Sequence, residues 1–180
     1  MKKELYQKIE IPEGVEAEIT GTVLKIHGPE GEDEKKFNIN NLEFKKEDNK
    51  IIVGSKKATK KEKKLMNTFA SHIRNMIKGV GEKFEYQLKI CFSHFPISVE
   101  IKDKEAIIKN FLGEKIPRKT KILEGVEVEM DKDIIKVKSV SKELAGQVAA
   151  NFEIATKIRK KDKRVFQDGI FIINKAGKEL

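Results

Sequence analysis

The sequence predicts an α+β protein of two internally duplicated domains, each a small, mostly antiparallel β-sheet packed against one α-helix. Three observations lead to this prediction. Short stretches alternate apolar and charged residues, two longer stretches have helical periodicity, and the two halves match at an almost constant offset. The domains are predicted to span residues 1–82 and 83–180.

The first half reads as short strands followed by one helix. Strands are predicted at residues 15–19, 22–27, 36–38, 42–45 and 51–53, with a tight turn at 28–31. Thr59, with Glu62 three residues later, has the pattern of a helical capping box. Gly79 and Gly81 are expected to end the helix. Its apolar face would comprise Leu65, Met66, Phe69, Ile73, Met76, Ile77 and Val80.

The second half repeats this order. Strands are predicted at residues 84–92, 97–101, 106–111, 115–119, 126–130 and 134–137. Ser141 is then expected to cap a second helix, because apolar residues recur after it at helical spacing. The predicted buried face of this helix comprises Leu144, Val148, Phe152 and Ala155.

The duplication depends on a constant offset. Ile51 matches Ile134 at an offset of 83, and Ile73 matches Ile154 at an offset of 81. A rival offset of 111 pairs IPEGVEAEI with ILEGVEVEM, but it would place the end of the first helix beyond the chain. The shorter offset covers strands and helix together, so it is preferred.

Positive charge is concentrated in two segments. The net charge is +9, yet residues 56–78 alone hold eight basic residues and one acidic residue. Residues 157–178 hold eight basic and two acidic residues. Concentrated positive charge attracts phosphate, and counterion release drives the binding. One such cluster could be a solvated lysine face, but two clusters in a repeated fold favour a polyanion.

The second segment supplies the strongest binding candidates. It reads as a basic loop, a turn at Asp168 and Gly169, and a strand from Ile170 that returns the loop to a sheet. A dense basic run after a helix has no role in a core. These basic residues are Arg159, Lys160, Lys161, Lys163 and Arg164, and a further basic site follows Pro117 at Arg118 and Lys119.

Several phenylalanines lie near basic or turn residues and have two interpretations. Aromatic side chains can stack on unpaired bases. The sequence has no Trp and only two Tyr, so a core role for the phenylalanines is favoured. The residues concerned are Phe92, Phe95, Phe111, Phe166 and Phe171.

No catalytic, metal or cofactor site is predicted. Cys91 and His94 have C-x-x-H spacing, but a structural zinc site needs four ligands, and His27 and His72 are isolated. The single cysteine excludes an internal disulfide framework and is typical of a reducing compartment. No apolar run approaches the ~20 residues of a membrane span, and no secretory signal is recognised. A cytoplasmic protein is therefore expected.

Ordered blocks of sequence resemble a known family. They are SHIRNMIKGV at 71–80, FSHFPISV at 92–99, KNFLGEKIPRK at 109–119 and RVFQDGIFIINKAGK at 164–178. With the turn GPEG at 28–31 and the run KELAGQVAA at 142–150, they resemble the large-subunit ribosomal protein L-six family in its archaeal and eukaryotic form. The resemblance covers essentially the whole chain.

This resemblance implies a structural constituent of the large ribosomal subunit, without catalysis. It implies binding to large-subunit rRNA near the sarcin–ricin loop and the docking region of translational GTPases, mainly through the second domain. Neighbouring ribosomal proteins are the other expected partners, and no membrane or small-molecule substrate is expected. Combined with the charge argument, it gives an RNA-binding set of Arg118, Lys119, Arg159, Lys160, Lys161, Lys163, Arg164, Asp168, Gly169, Lys175 and Lys178.

One departure and two alternatives accompany this interpretation. The turn at 28–31 is often followed by basic residues in the family, but here an acidic run, 32–34, follows, so it receives no RNA contact. A free DNA- or chromatin-binding protein is the main alternative, although no recognition helix or zinc finger is evident. An enzyme acting on RNA would require a convergent carboxylate or histidine site, and its histidine version a shared cleft for His27, His72 and His94.

Overall fold

The computed structural model describes residues 3–39, 42–162 and 164–180, with Lys3 described by its backbone alone. The chain divides into two compact units, Met1–Lys83 and Phe84–Leu180. Each unit combines a long α-helix with antiparallel β-sheets, so the predicted α+β class with duplicated domains is confirmed. Each unit distributes its strands over two sheets, whereas the sequence predicted one.

Within its described residues, the first unit has six strands and one helix. These are β1 (Lys3–Glu10), β2 (Glu16–Thr20), β3 (Val23–Gly28), β4 (Gly31–Lys36), β5 (Glu43–Glu47), β6 (Lys50–Ala58) and α1 (Lys60–Gly81). One sheet has the order β1-β6-β5 and the other has the order β2-β3-β4. All neighbouring strands are antiparallel.

Alternation of apolar and polar residues decides which face of each strand is buried. In β3, Leu24 and Ile26 are fully buried, while Lys25 between them is exposed. In β6, Ile51 and Val53 are likewise fully buried. Successive side chains of a strand point to opposite faces, so one face of each sheet becomes core.

Helix α1 begins where its capping box predicts. The Thr59 side chain accepts a hydrogen bond from the Lys61 backbone N–H, and the Glu62 carboxylate accepts one from the Thr59 backbone N–H at 2.9 Å. These bonds satisfy backbone donors that the first turn of a helix leaves unpaired. The buried residues recur every three or four positions and comprise Met66, Phe69, Ala70, Ile73, Met76, Gly79 and Val80.

The second unit repeats this order and extends it. Its strands are β7 (Phe84–Cys91), β8 (Ser98–Lys102), β9 (Glu105–Lys109), β10 (Arg118–Lys121), β11 (Glu127–Asp131), β12 (Ile134–Ser139), β13 (Gly169–Lys175) and β14 (Lys178–Glu179). A 3₁₀ turn spans Phe111–Gly113, and helix α2 spans Lys142–Ala155.

Sheet order shows the duplication directly. The order β10-β9-β8 corresponds to β4-β3-β2, and β11-β12-β7 corresponds to β5-β6-β1. The hairpin of β13 and β14 is the addition, since β13 pairs with the side of β7 opposite to β12. Ile170 of β13 lies opposite Ile90 of β7, which confirms the predicted strand after the basic loop.

The added strand completes the core of the second unit. Ile170 is fully buried together with Leu88 of β7, Ile135 of β12 and Phe152 of α2. Complete burial of such a side chain stabilises the fold by roughly 1.5–3 kcal/mol. Pairing of β13 with β7 therefore anchors the C-terminal end of the basic loop.

Several predicted elements require correction. The strand predicted at 115–119 begins only at Arg118, as β10, and the strand predicted at 106–111 ends at Lys109, with Phe111 in the 3₁₀ turn.

Strand β4 covers Gly31–Lys36, whereas a strand was predicted at 36–38. The acidic run has no apolar alternation, so the pattern did not predict it, and the strand forms because its backbone pairs with β3. A salt bridge of 2.9 Å between Lys25 and Glu34 also joins the two strands. Gly79 is buried within α1 and does not end it. Asp168 and Gly169 do not form a turn, because Gly169 begins β13.

Candidate nucleic-acid interface

A basic cleft of about 560 Å³ lies beside the C-terminal end of α2. It brings together two groups that are far apart in sequence, residues 112–119 before and at the start of β10 and residues 154–161 at the end of α2 and after it. The residues that line this cleft are Leu112, Glu114, Arg118, Lys119, Ile154, Ala155, Lys157, Ile158, Arg159 and Lys161. The sequence predicted both groups as RNA contacts, and the structure makes them neighbours.

Most of the predicted basic residues are exposed. Arg159, Lys160 and Lys161 follow α2 directly, and their side chains reach solvent. Lys119 is also exposed and lies 3.7 Å from Glu105. The remaining exposed members are Arg164, Lys175 and Lys178, while Lys163 lies outside the described residues.

The segment 157–162 is free of strong pairing with acids. Within the described residues, Lys157, Arg159 and Lys160 form no salt bridge, and Lys161 instead lies over the Phe166 ring at 4.3 Å. Arg164 pairs with Asp162 at 3.0 Å, but its side chain remains 90% exposed. Cations without carboxylate partners remain available to an external anion.

Two buried polar residues, Thr156 and Asp168, hold the two ends of the stretch between α2 and β13. Thr156, immediately after α2, accepts a hydrogen bond from the Ile170 backbone N–H at 3.0 Å. At the other end, Asp168 is 1% exposed and accepts hydrogen bonds from the Ser93 backbone N–H at 2.8 Å and the Ser93 hydroxyl at 2.7 Å. The segment is therefore a loop with two fixed ends.

Asp168 and Gly169 were predicted to face RNA, and this is corrected. Burial by itself would raise the pKa of the Asp168 carboxyl, but the hydrogen bonds from Ser93 and His94 outweigh that and hold its pKa below the ordinary value. Gly169 is buried, and a Cβ there would lie 3.0 Å from the Phe171 ring. Both residues position the loop and do not present groups to a ligand.

Arg118 was also predicted to contact RNA, yet its guanidinium group is used within the protein. Its Nε and Nη2 atoms donate to the two carboxylate oxygens of Glu114 at 2.8 and 2.6 Å. Its Nη1 atom donates to the Ala155 carbonyl at the end of α2 at 2.8 Å. The guanidinium carbon also lies 4.2 Å from the centre of the Phe111 ring.

These contacts give Arg118 a positioning role. They join the loop before β10 to the last turn of α2, and so they build one wall of the basic cleft. The hydrogen bonds from Arg118 hold the pKa of Glu114 below its ordinary value, so this carboxylate stays ionised and paired.

The family resemblance left a packing role and an RNA contact open for the block His94-Phe95-Pro96, and the structure gives His94 contacts within the protein. Its Nδ1 lies 3.0 Å from an Asp168 carboxylate oxygen, and its ring stacks on Phe166 with centroids 4.8 Å apart. Together with Lys161 this makes a layered contact of imidazole, phenyl ring and ammonium. The C-x-x-H spacing drew attention to His94, but the partner Asp168 lies 74 positions away.

The phenylalanines divide between the two interpretations. Phe111 is 1% exposed and belongs to the core, as favoured. Phe92, Phe95 and Phe171 are each almost half exposed, so the core interpretation is wrong for them. Phe92 and Phe171 border a second, mainly apolar cleft of about 840 Å³ that also includes Phe166.

The other two histidines have local partners. His27 lies 3.3 Å from Glu32, and His72 lies 3.1 Å from Lys35. Across the described residues, no group of three or more His, Cys, Asp or Glu side chains is arranged to hold a metal ion. Of the helices in this part of the chain, none combines the length and apolar character needed to cross a membrane.

The fold and the basic cleft define a small duplicated α+β protein with a surface suited to a polyanion. The model of the family described as Ribosomal protein L6 matches residues 11–83 and 95–169, one match in each unit. The chain belongs to this ribosomal protein family, whose members are structural proteins and not enzymes.

Curated relatives extend this match over nearly the full chain. The large ribosomal subunit protein uL6 of Methanothrix thermoacetophila is 41% identical over 175 residues, covering 97% of this chain and 99% of the relative. The protein of the same name from Staphylothermus marinus is 49% identical over 172 residues, covering 93% of both chains. That of Methanococcus vannielii is 43% identical over 176 residues, covering 98% of this chain and 97% of the relative.

Proposed function

We propose that this protein is a constituent of the large ribosomal subunit that binds large-subunit rRNA through its C-terminal domain, residues 83–180. The basic cleft beside the end of α2 is the observation that carries the proposal. Neighbouring ribosomal proteins are its further partners, and the assembled ribosome in the cytoplasm is its location.

The charges of the cleft support contact with the RNA backbone. Lys157 and Arg159 line the cleft, and Lys160 follows them in sequence. All three are exposed and, in the described part of the chain, form no salt bridge. Lys119 contributes a further ammonium group from the opposite wall. Contacts to phosphate position a protein on RNA and carry little sequence information. Recognition of structured RNA then depends largely on shape and on 2′-hydroxyl contacts.

The proposed position within the subunit is close to the sarcin–ricin loop and the docking region of translational GTPases. Support for this position is the family resemblance in the blocks at 92–99, 109–119 and 164–178, the second of which includes one wall of the basic cleft. The names of the curated relatives place those proteins in the large subunit.

A triple substitution tests the binding proposal. Arg159, Lys160 and Lys161 are each replaced by Gln in the full chain, and binding to a large-subunit rRNA transcript is measured between about 50 and 200 mM KCl. Loss of up to three phosphate contacts should weaken binding roughly tenfold or more and flatten the slope of log K against log salt by about 2.

A matched control removes the same charge elsewhere in the unit. Lys102, Lys104 and Lys121 are exposed lysines outside the cleft, and their replacement by Gln should leave most of the affinity and slope intact. Equal losses in the two variants would overturn the cleft as the contact. Equal affinity of the unmodified protein for duplex DNA of matched length would favour a general nucleic-acid binder over an rRNA-binding protein.

The position near the sarcin–ricin loop has its own test. Hydroxyl-radical probing of the transcript with and without the protein should show protected riboses around that loop. Protection confined to other regions would contradict the position while leaving rRNA binding intact.

A further inference from the structure

The outward face of α1 carries a stripe of positive charge in the first unit. Successive residues of an α-helix are about 100° apart, so Lys60, Lys63 and Lys64 lie on one side of the helix. Met66, Phe69 and Ile73 lie on the opposite side and are buried. Lys61 and Arg74 are exposed and flank the same outward face, and Lys56 and Lys57 precede it at the end of β6. We call this set, without Lys78, the α1 stripe.

The α1 stripe has almost no acid within it. The acidic residue of α1 is Glu62, and its carboxylate is occupied by the capping box at Thr59. Within the described residues, no lysine of the α1 stripe forms a salt bridge. By contrast, strand lysines of the same unit do pair, as Lys25 does with Glu34 and Lys50 with Glu10. Positive charge at the N-terminal end of a helix is also unfavourable for the helix itself.

Uncharged polar groups complete this surface. Asn67, Thr68 and Ser71 are exposed between Lys64 and Arg74. Such side chains commonly accompany Lys and Arg in contacts to phosphate and sugar oxygens. From Lys60 to Arg74 the surface extends over about 21 Å, at about 1.5 Å per residue. It is therefore long enough to follow several successive phosphates.

Apolar exposure distinguishes RNA from a protein partner. Stable protein interfaces usually contain an apolar core within a polar rim. In the described part of the chain, all the large apolar side chains that are exposed lie at Phe92 or later, in the second unit. The α1 stripe therefore offers charge and hydrogen bonds without an apolar centre, which favours a nucleic-acid backbone over a protein surface.

The duplicated fold provides an internal comparison. Helix α2 occupies the same place in the second unit, yet its basic residue is Lys142 alone, and its exposed positions include Glu143 and Ile154. The fold therefore does not require a basic helix face. The two units carry their positive charge on different elements, the helix in the first and the segment after the helix in the second.

We propose that the α1 stripe is a second rRNA-binding surface, which holds the phosphate backbone of an RNA segment separate from the one at the basic cleft. The protein would then join two segments of rRNA. This inference rests on the proposed function for the identity of the polyanion, and on the geometry of α1 for the presence of the second contact.

The test uses the full chain and a large-subunit rRNA transcript. Lys60, Lys61, Lys63 and Lys64 are replaced by Gln, which is a good helix former and leaves Thr59 and Glu62 unchanged. Hydroxyl-radical probing of the unmodified complex should show two separate groups of protected riboses. The α1 variant should lose one group and retain the other, with affinity reduced roughly tenfold and a salt slope flatter by about 2 to 3.

The control variant replaces Lys8, Lys25, Lys45 and Lys50 by Gln, which removes the same charge from exposed strand positions of the first unit. Circular dichroism establishes that both variants remain folded. The proposal is overturned if the α1 variant behaves as the control does, or if it keeps both protected groups and instead loses binding to an acidic polypeptide such as polyglutamate. The Arg159, Lys160 and Lys161 variant should lose the other group, so failure at the cleft and failure at α1 give different patterns.

Discussion

At the scale of single residues, Asp168 is a carboxylate whose importance lies inside the protein. It accepts hydrogen bonds from Ser93 and His94 while it is 1% exposed. Removal of a buried hydrogen-bond acceptor leaves its donors unsatisfied. The free-energy cost of these unsatisfied donors exceeds the net free energy that the hydrogen bonds contribute to stability. Asp168 therefore connects the end of β7 to the start of β13.

Replacement of Asp168 by Asn should lower the free energy of unfolding by about 2 kcal/mol at neutral pH, because the amide nitrogen cannot accept the bonds that the carboxylate accepts. Denaturant unfolding monitored by circular dichroism measures the change. Asp162→Asn is the control, since that carboxylate is exposed and should change stability little. Equal stability of the two variants would contradict the role given to Asp168.

The pH dependence of the free energy of unfolding gives a second test of the Asp168→Asn substitution. The pKa of Asp168 is lower in the folded state than in the unfolded chain, so its carboxylate stabilises the fold above about pH 4. That contribution is lost as the pH falls through the folded-state pKa. The Asp168→Asn variant should therefore lose less stability than the unmodified protein between neutral pH and acid pH.

Residue roles were the part of the site that sequence could least predict. Exposure of the run after α2 was predictable, because five basic residues within six positions have no place in a core. The roles of Arg118 and Asp168 were not, because each depends on a distant partner. Arg118 bonds the carbonyl of Ala155, 37 positions away, and Asp168 bonds Ser93, 75 positions away.

At the scale of elements, the two helices offer a comparison of caps within one chain. Thr59 caps α1 with a side-chain hydrogen bond and a reciprocal bond from Glu62. Ser141 occupies the same position before α2, but its side chain makes no capping hydrogen bond. A hydroxyl side chain at the N-cap therefore contributes differently in the two copies, and only α1 has a Glu three residues after it.

Thr59→Ala should lower the free energy of unfolding by about 1 kcal/mol, whereas Ser141→Ala should cost only a few tenths, because only the first removes an existing cap. Thermal and denaturant unfolding of the two single variants measure the difference. If Ser141→Ala costs as much as Thr59→Ala, the description of the two caps is wrong.

Elements with a clear period were well predicted from sequence, and those without one were not. The faces of α1 and of β3 follow directly from their apolar spacing. Strand β4 lacks such spacing, because its exposed acidic residues are held by backbone pairing with β3. Strand β1 was not predicted, although Leu5 and Ile9 alternate with polar residues, and its pairing with β6 joins positions about 40 or more residues apart.

At the scale of the whole molecule, the added hairpin covers an edge that the first unit leaves open. Strand β1 lies at the edge of its sheet and has four charged residues among eight. Its counterpart β7 has two among eight and is covered by β13. Charged edge strands resist pairing with other chains, whereas apolar ones promote it.

A chain truncated after Lys157 should therefore self-associate, because β7 would lose its partner and become an open, largely apolar edge. Analytical ultracentrifugation compares it with the full chain at equal concentration. A chain truncated after Ala176 keeps β13 and loses only β14, and it should behave as the full chain does. A monomeric 1–157 chain would contradict the protective role of β13.

The position of β13 after α2 and after the other core strands of the second unit also affects the order of folding during synthesis. The first unit has all its strands and its helix once Gly81 has been made, so it can fold early, as N-terminal domains commonly do. The second unit must wait for residues such as Ile170, whose partner Ile90 was made 80 residues before. Contacts between such distant positions form slowly. The segment that lines the basic cleft thus becomes fixed at both ends only after β13 has been made, so a chain that stops before β13 would lack a formed cleft.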